Sequence, residues 1–298
     1  MAKYKIALIQ MQCFKDKAKS IKKASEMIEK AAKKGSKVVC LPELFATDYF
    51  CQTENPDLFD LAEPVDGPTT QALAKLAKKH KIVIENSIFE KRAAGLYHNT
   101  AVIIEKDGSI AGIYRKMHIP HDPNFYEKYY FTPGDTGYKS FETSYGNIGT
   151  VICWDQWYPE ASRITALKGA EVIFYPTAIG WQPGDVENDT MLTESDLKAQ
   201  LDAWITIQRS HAIANGVYVA SVNRIGHEGP KNGGINFWGN SFIADPFGKI
   251  IAQGSSDKEE VLIAEVDTDL VEQKRRYWPF FRDRRIDSYG EIFLRYGK

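Results

Sequence analysis

A strand, a helix and a second strand follow one another twice in this chain of 298 residues, and this arrangement constrains the fold more than any other feature. The first copy runs from Tyr4 to Glu43 and the second from Ile148 to Thr177. Between Asp16 and Lys34, apolar residues recur every three or four positions, which is the period of an amphipathic helix. Short connections of this kind join parallel strands that a helix covers on one face. The sequence therefore predicts an α/β fold in which two sheets carry helices on their outer faces.

The rest of the chain continues this pattern without a dividing linker. A helix is predicted from about Glu194 to Asn215, and a long irregular stretch occupies His118 to Lys139. A loop of that length within a compact domain is more often functional than idle. Because no low-complexity segment interrupts the chain, we expect one domain over residues 1–298.

The charge balance argues against binding to nucleic acid or membrane. The net charge is −1, with 26% charged and 43% hydrophobic residues, so no basic excess favours a nucleic-acid partner. No apolar run approaches the ~20 residues that a membrane-spanning helix needs. The N-terminal residues enter a strand pattern at once, which differs from a signal peptide. We therefore expect a cytoplasmic protein whose four cysteines are reduced.

Three titratable residues each stand just past a predicted apolar strand. Glu43 follows the strand that ends at Leu41, Lys116 follows Ile110 to Arg115, and Cys153 follows Ile148 to Ile152. Ligands of parallel α/β sheets bind beyond the carboxyl ends of the strands. The three side chains are thus expected to meet in one cleft, although they are far apart in sequence.

Each of these residues also has a plainer interpretation. Cys153 could be a core thiol, since free cysteine is often buried. Glu43 could satisfy N–H groups at the start of a helix, and Lys116 could be solvated. His118 and His121 raise the alternatives of a Cys–His protease or a metal site, but the sequence has neither His-Glu-x-x-His nor Cys-x-x-Cys. The residues alone leave these alternatives open.

Three separated blocks resemble the signature motifs of the nitrilase superfamily, the carbon–nitrogen hydrolases. These blocks are Leu41-Pro-Glu-Leu-Phe45, Tyr114-Arg-Lys-Met-His118 and Val151-Ile-Cys-Trp-Asp-Gln156. The resemblance extends over essentially the whole chain. It implies a four-layer α-β-β-α sandwich, a Glu-Lys-Cys triad, and a site without metal or cofactor.

The resemblance also assigns roles to particular residues. Glu43, Lys116 and Cys153 occupy the triad positions, and Glu127 occupies the position of a second glutamate of the superfamily. A thiol is mostly protonated at neutral pH, so Glu43 is expected to take its proton as general base. Lys116 and the backbone N–H of Trp154 would stabilise the negative charge of the tetrahedral intermediate. Glu127 would hold Lys116 and orient Glu43.

Further blocks resemble the branch of the superfamily that converts N-carbamoylputrescine to putrescine, carbon dioxide and ammonia. They include Pro176-Thr-Ala-Ile-Gly180 and the basic, aromatic run from Arg276 to Arg285. The expected partner is a small carbamoyl amine with an apolar chain and a terminal ammonium. The residues expected to contact it are Tyr49, Tyr130, Trp154, Asp155, Thr177 and Glu187. Glu187 stands between Asp185 and Asp189 in an acidic loop, which could equally be a plain solvated loop.

Other assignments stay open. A relative acting on β-ureidopropionate or an ω-amide is possible, although an acidic substrate would favour an arginine where Asp155 follows the cysteine. A non-catalytic scaffold is a further alternative. The resemblance also implies a homo-oligomer. We expect the tail, residues 273–298, to form oligomer contacts, because the aromatic run Tyr277–Phe281 is unfavourable to expose.

Overall fold

The computed structural model describes residues 3–181, 193–231 and 233–297, in which two six-stranded sheets lie face to face. The strands of the first sheet are β1 (Lys3–Gln10), β2 (Ser36–Cys40), β3 (Val83–Ala93), β4 (Leu96–Ile104), β5 (Ile110–Arg115) and β15 (Glu260–Asp267). Those of the second are β6 (Ser140–Thr143), β7 (Gly146–Thr150), β8 (Val172–Pro176), β10 (Tyr218–Val222), β13 (Phe242–Ala244) and β14 (Ile250–Gln253). A small third sheet contains β9 (Gly180–Trp181), β11 (Ile225–Glu228) and β12 (Ile235–Trp238).

Helices cover the outer faces of the two large sheets. The described helices are α1 (Lys17–Lys33), α2 (Pro68–His80), α3 (Glu127–Tyr130), α4 (Pro159–Leu167), α5 (Glu194–Asn215) and α6 (Thr268–Tyr277). Helices α1 and α2 pack on the first sheet, whereas α4 and α5 pack on the second. This is the predicted α-β-β-α sandwich. Within the described ranges, no helix combines the length and the apolar character needed to cross a bilayer.

The alternation of side chains along β1 explains how its sheet serves two interfaces. Tyr4, Ile6 and Leu8 point toward the second sheet, and Ala7 and Ile9 point toward the helices. Successive side chains of a strand face opposite sides of a sheet, and here both sides are buried. The central strands therefore read as nearly continuous apolar runs.

Strand directions bring the chemistry to one edge of the sandwich. In the first sheet β1, β2 and β3 are parallel, and two antiparallel steps through β4 return β5 to the direction of β2. In the second sheet β7, β8 and β10 are parallel. Because the segments that follow β2 and β5 leave one edge, Glu43 and Lys116 can meet there.

Two of the differences from the sequence-based expectation concern the strand before Cys153 and a third sheet. Strand β7 ends at Thr150 instead of Ile152, so Val151 and Ile152 lead into a 3-10 helix, Cys153–Trp157. The helix α4 approaches β7 closely: a Cβ on Gly149 would lie 2.2 Å from Thr165 Cγ2. The third sheet, β9 with β11 and β12, was not predicted because its strands have only two to four residues.

Candidate active site

A buried cluster of two carboxylates and one ammonium lies where strands of the first sheet end. Lys116 Nζ is 2.8 Å from Glu43 Oε1 and 2.6 Å from Glu127 Oε2, and none of the three side chains is exposed. Burial alone would lower the pKa of Lys116, but the charges of Glu127 and Glu43 outweigh it and raise that pKa well above its usual value. Lys116 therefore stays an ammonium ion.

Glu43 is held by one of its two carboxylate oxygens. Asn99 Nδ2 donates to Glu43 Oε1 over 2.8 Å, and Ser87 Oγ in turn donates to Asn99 Oδ1 over 2.8 Å. Both supports stand in strands of the first sheet, β3 and β4. Among the described residues, Glu43 Oε2 has no hydrogen-bond partner although it is buried. One oxygen is thus fixed and the other is free to exchange a proton.

Glu127 begins α3 and uses both of its oxygens. Oε2 accepts from Lys116, and Oε1 accepts from the Tyr49 hydroxyl over 2.6 Å. Burial raises the pKa of Glu127 to about 7, against the opposing effect of the Lys116 charge. Tyr49 and Lys116 together keep this carboxyl group in one orientation.

Cys153 occupies a backbone conformation that non-glycine residues rarely adopt. Its φ is +42°, at the first residue of the 3-10 helix; the left-handed region disfavours L-residues by roughly 1–2 kcal/mol. Asp155 stabilises this turn, since its Oδ2 accepts from the Ile152 N–H at 2.9 Å and from the Tyr114 hydroxyl at 2.7 Å. The turn presents the thiol beyond the strand end.

The thiol is buried and lies near the negative charge of Glu43. Burial raises the pKa of Cys153 well above its ordinary value; the charge of Glu43 raises it further and that of Lys116 opposes the shift. The Sγ donates a long hydrogen bond, 3.8 Å, to the carbonyl of Ala178. The resting cysteine is therefore a neutral thiol that requires a base before it can attack.

A cavity of about 370 Å³ opens above Cys153. It is lined by Pro120, Asp122, Phe125, Cys153, Trp154, Trp157, Ala178, Ile179, Gly180, Gln200, Ala203 and Trp238. Most of these side chains are apolar, and Asp122 is the charged residue among them. This volume falls in the range of small-molecule sites, about 300–1,000 Å³.

The sequence pattern of the family described as carbon-nitrogen hydrolase matches residues 5–276. The chain belongs to the carbon–nitrogen hydrolase family. This carbon–nitrogen hydrolase is 42% identical over 293 residues to the N-carbamoylputrescine amidase of Oryza sativa subsp. japonica, covering 97% of this chain and 94% of the relative. It is 40% identical to the citrullinase of Francisella tularensis subsp. tularensis, covering 99% and 100%.

A solved structure gives the same result for the fold. The crystal structure of a carbon-nitrogen hydrolase from Helicobacter pylori G27 matches with a TM-score of 0.93 and 48% identity, covering 99% of this chain and all of that one. The predicted superfamily and fold are therefore confirmed, and the chain is an amidohydrolase.

Some of the predicted substrate contacts line the cavity of this carbon–nitrogen hydrolase and others do not. Trp154 lines it. Tyr49 lies behind the cavity, with its hydroxyl on Glu127 and its ring 5.5 Å from that of Phe125, which is a cavity residue. Glu187, together with Asp185 and Asp189, falls outside the described residues.

The substrate contact predicted for Asp155 stays a prediction, and the structure shows a supporting role for its side chain. Its side chain is fully buried, and it is not among the residues that line the cavity. Besides the two donors to Oδ2, its Oδ1 is 3.0 Å from the backbone nitrogen of His118 and 2.7 Å from the Nδ1 of that residue. These bonds join the Cys153 turn to the segment that carries Lys116, so Asp155 supports both.

Tyr130 and Thr177 likewise make structural contacts, and the substrate contacts predicted for them stay predictions. The Tyr130 hydroxyl donates to Thr53 O at 2.5 Å, and its ring packs in an aromatic cluster. The Thr177 hydroxyl lies 3.2 Å from Gln156 Oε1 and is fully buried. Neither lines the cavity, because position in a motif does not determine the direction in which a side chain points.

Histidine chemistry has little support at this site. His118 stacks on Tyr158 with ring centroids 3.6 Å apart and is bound to Asp155, as above. In the part of the chain that the structure describes, no histidine is hydrogen-bonded to Cys153, and no group of three or more His, Cys, Asp or Glu residues could hold a metal ion.

Sequence reasoning missed Asn99 and Ser87. Both are fully buried polar residues in strands of the first sheet. A polar residue at an inward position of a buried strand requires a partner, and this signal could have identified them.

Proposed function

We propose that this carbon–nitrogen hydrolase converts N-carbamoylputrescine and water to putrescine, carbon dioxide and ammonia through a carbamoyl group carried on Cys153. The observation that carries the proposal is the buried contact of Lys116 with Glu43 and Glu127, next to a thiol on the wall of a mostly apolar cavity. The identity of 42% to a named N-carbamoylputrescine amidase supports the substrate class.

The first half of the proposed reaction forms the carbamoyl–enzyme. The free oxygen of Glu43 takes the proton from Cys153, and the thiolate attacks the carbamoyl carbon. The oxyanion that forms is stabilised by the Lys116 ammonium and the N–H of Trp154. Glu43 then returns the proton to the departing nitrogen, the C–N bond breaks and putrescine leaves.

The second half releases the carbamoyl group. Glu43 accepts a proton from water while the water oxygen attacks the carbamoyl carbon on Cys153. The C–S bond breaks, the thiol regains its proton, and the carbamic acid released decomposes to carbon dioxide and ammonia. Because Lys116 and the N–H of Trp154 provide the electrophilic assistance, the proposed chemistry uses no metal or cofactor.

The cavity suits both the methylene chain and the terminal ammonium of this substrate. Apolar walls such as Phe125 and Trp238 suit the methylene chain. The exposed carboxylate of Asp122 provides a negative charge for the terminal ammonium. We include Asp122 in the proposal as the residue that recognises this cation.

Citrulline is a second candidate, because the chain is 40% identical to a citrullinase over the full length of that protein. Citrulline presents the same carbamoyl group but also carries a carboxylate. Asp122 on the cavity wall would repel the carboxylate of β-ureidopropionate. Citrulline keeps an ammonium group beside its carboxylate, so Asp122 would repel one group and attract the other. A negative residue that rejects acidic analogues is a common source of specificity.

The proposal also places the enzyme in the cytoplasm as a homo-oligomer. All four cysteines are free thiols, as expected in a reducing compartment. In the tail, Tyr277 is 80% and Phe293 91% exposed, and several neighbouring apolar residues are also exposed. Apolar patches of this kind often mark contacts between subunits, and a second copy of the chain is the proposed partner.

Ammonia release under steady-state conditions tests the substrate. The panel contains N-carbamoylputrescine, citrulline, β-ureidopropionate and propionamide, with Cys153→Ala as the blank. We expect the highest kcat/KM on N-carbamoylputrescine, by about tenfold or more, which corresponds to about 1.4 kcal/mol of discrimination. A higher value on citrulline or on β-ureidopropionate would overturn the assignment.

A further inference from the structure

Arg224 follows β10 and reaches the backbone of the Glu43 turn from the opposite side of the site. We propose that Arg224, paired with Glu228, is the positioning residue that fixes Glu43 for proton transfer. The inference rests on the proposed role of Glu43 as the general base, and it adds residues that do not touch the substrate.

The guanidinium of Arg224 is fully buried and donates to three backbone carbonyls of one turn. Its Nη2 donates to the carbonyls of Glu43 at 2.8 Å and Leu44 at 2.7 Å, and its Nη1 donates to that of Thr47 at 3.0 Å. Leu44 has a φ of +50°, a conformation that leucine adopts only when it is stabilised by its surroundings. Arg224 supplies that stabilisation.

Glu228 balances the buried charge and extends the contact. Both of its oxygens lie 3.1 Å from Arg224 Nη1, and its Oε2 accepts from the backbone N–H of Tyr49 at 2.5 Å. Tyr49 is the residue whose hydroxyl binds Glu127. The pair therefore connects to the second glutamate of the cluster as well as to the first.

These contacts form a closed ring of hydrogen bonds around the site. Its members, in order, are Glu43, Lys116, Glu127, Tyr49, Glu228 and Arg224. Glu43 takes part in this ring twice, because its carboxylate accepts from Lys116 and its backbone carbonyl accepts from Arg224. A shift of Arg224 would thus move the base relative to Cys153.

The neighbouring Asn223 holds the backbone on the opposite wall of the cavity in the same way. Its side chain accepts from Ile179 N at 3.1 Å and donates to Ile179 O at 2.9 Å. Ile179 lines the cavity beside Ala178, whose carbonyl faces the Cys153 thiol. Two adjacent residues at the end of β10 therefore set the spacing between base and nucleophile.

Lysine cannot replace Arg224 in this position. A guanidinium presents five N–H donors in a fixed planar fork, whereas an ammonium is a single point charge. Arg224→Lys keeps the buried charge near Glu228 but cannot reach all three carbonyls. The matched control is Arg275→Lys, since Arg275 also donates to backbone carbonyls, of Asn215 and Ala170, and neither of these lines the cavity.

The test measures the rate at which iodoacetamide alkylates Cys153 across a range of pH. The values of kcat and KM for N-carbamoylputrescine are measured beside it. We expect Arg224→Lys to lower kcat and the alkylation rate by roughly 10²-fold, the effect of misplacing a reacting group by about 1 Å, with little change in KM. Arg275→Lys should leave both unchanged. In a Glu43→Gln background, Arg224→Lys should cause almost no further loss, because the residue it positions is already inactive.

Two results would overturn the inference. One is an unchanged alkylation rate and kcat in Arg224→Lys. The other is that Arg224→Lys lowers the alkylation rate equally in the wild-type and Glu43→Gln backgrounds. If Arg224→Lys does not fold, Glu228→Gln is the milder variant, and wild-type kinetics in that variant would also contradict the proposal. Alkylation needs no substrate, so a wrong substrate assignment would leave this test valid.

Discussion

Lys116 Nζ lies 2.8 Å from Glu43 Oε1 and leaves Glu43 Oε2, among the described residues, without any hydrogen-bond donor. This asymmetry separates the two tasks of the carboxylate. Oε1 fixes its orientation through Lys116 and Asn99, while Oε2 can take and return protons. The charge of Lys116 also remains available to the oxyanion, since its pKa is raised by both glutamates after burial has acted in the opposite direction.

Replacing Glu127 by glutamine should shift the basic limb of the pH–rate profile. Burial lowers the pKa of Lys116 and Glu127 is the strongest opposing charge, so its loss lowers that pKa. Lys116 would then lose its proton at a lower pH, and activity would fall earlier as pH rises. The kcat/KM profile of Glu127→Gln measures this. A basic limb at the wild-type position or higher would contradict it.

Asp155→Asn should damage the turn that presents Cys153. The amide would point a donor at groups that now donate to Asp155, such as Ile152 N–H and Tyr114 OH. An unsatisfied buried donor costs about 1–3 kcal/mol, so the free energy of unfolding should fall by that amount in urea titrations. Since Asp155 does not line the cavity, kcat should fall more than KM rises. A selective increase in KM would instead identify Asp155 as a substrate contact.

Glu85 makes stability depend on pH from within the core. It lies between the sheets, bonded to Cys40 and to Thr150 Oγ1 at 2.9 Å, and burial raises its pKa from 4.5 to about 7. Between pH 4.5 and about 7, Glu85 has lost its proton in the unfolded chain but keeps it in the folded chain. The free energy of unfolding therefore falls as pH rises through this range. The contribution is at most about 3 kcal/mol.

Glu85→Gln removes that ionisable group. Compared with the wild type, the variant should lose less stability between pH 5 and 8, as measured by urea unfolding at the two values. The matched control is Glu142→Gln, an exposed acid on β6. An identical pH dependence in Glu85→Gln and the wild type would contradict this prediction.

Asp122→Asn tests recognition of the substrate ammonium. We expect KM for N-carbamoylputrescine to rise roughly tenfold, the loss of about 1.4 kcal/mol from one partly exposed charge contact, with little effect on N-butylurea. The control Asp257→Asn changes an exposed acid that does not line the cavity. Equal changes in KM for the charged and uncharged substrates would remove Asp122 from this role.

The fold was predictable because its signals are local and periodic. The apolar stripe of α1 and the predicted helix from Glu194 to Asn215, which is α5 as found, both depend on residues close in sequence. The end of β7 was placed two residues late. Val151 and Ile152 are as apolar as a strand requires, and only the turn at Cys153 ends the pairing.

The site was predictable only in part. Motifs identified Glu43, Lys116, Cys153 and Glu127, and the structure brings the first two together with Glu127. The contacts of Arg224 with the Glu43 turn join residues about 180 positions apart, and no local pattern encodes them. The direction of the Asp155 side chain was equally hidden, since the 3-10 turn that directs it inward was not predicted.

Ammonia release from N-carbamoylputrescine by Cys153→Ala, measured beside Cys13→Ala, tests whether Cys153 is the nucleophile. Cys13 is also a buried free thiol, so it controls for loss of a core cysteine. We predict that Cys153→Ala lowers kcat by about 10⁴-fold or more while its unfolding curve stays close to that of the wild type, and that Cys13→Ala remains active. Wild-type turnover by a folded Cys153→Ala variant would show that Cys153 is not the nucleophile.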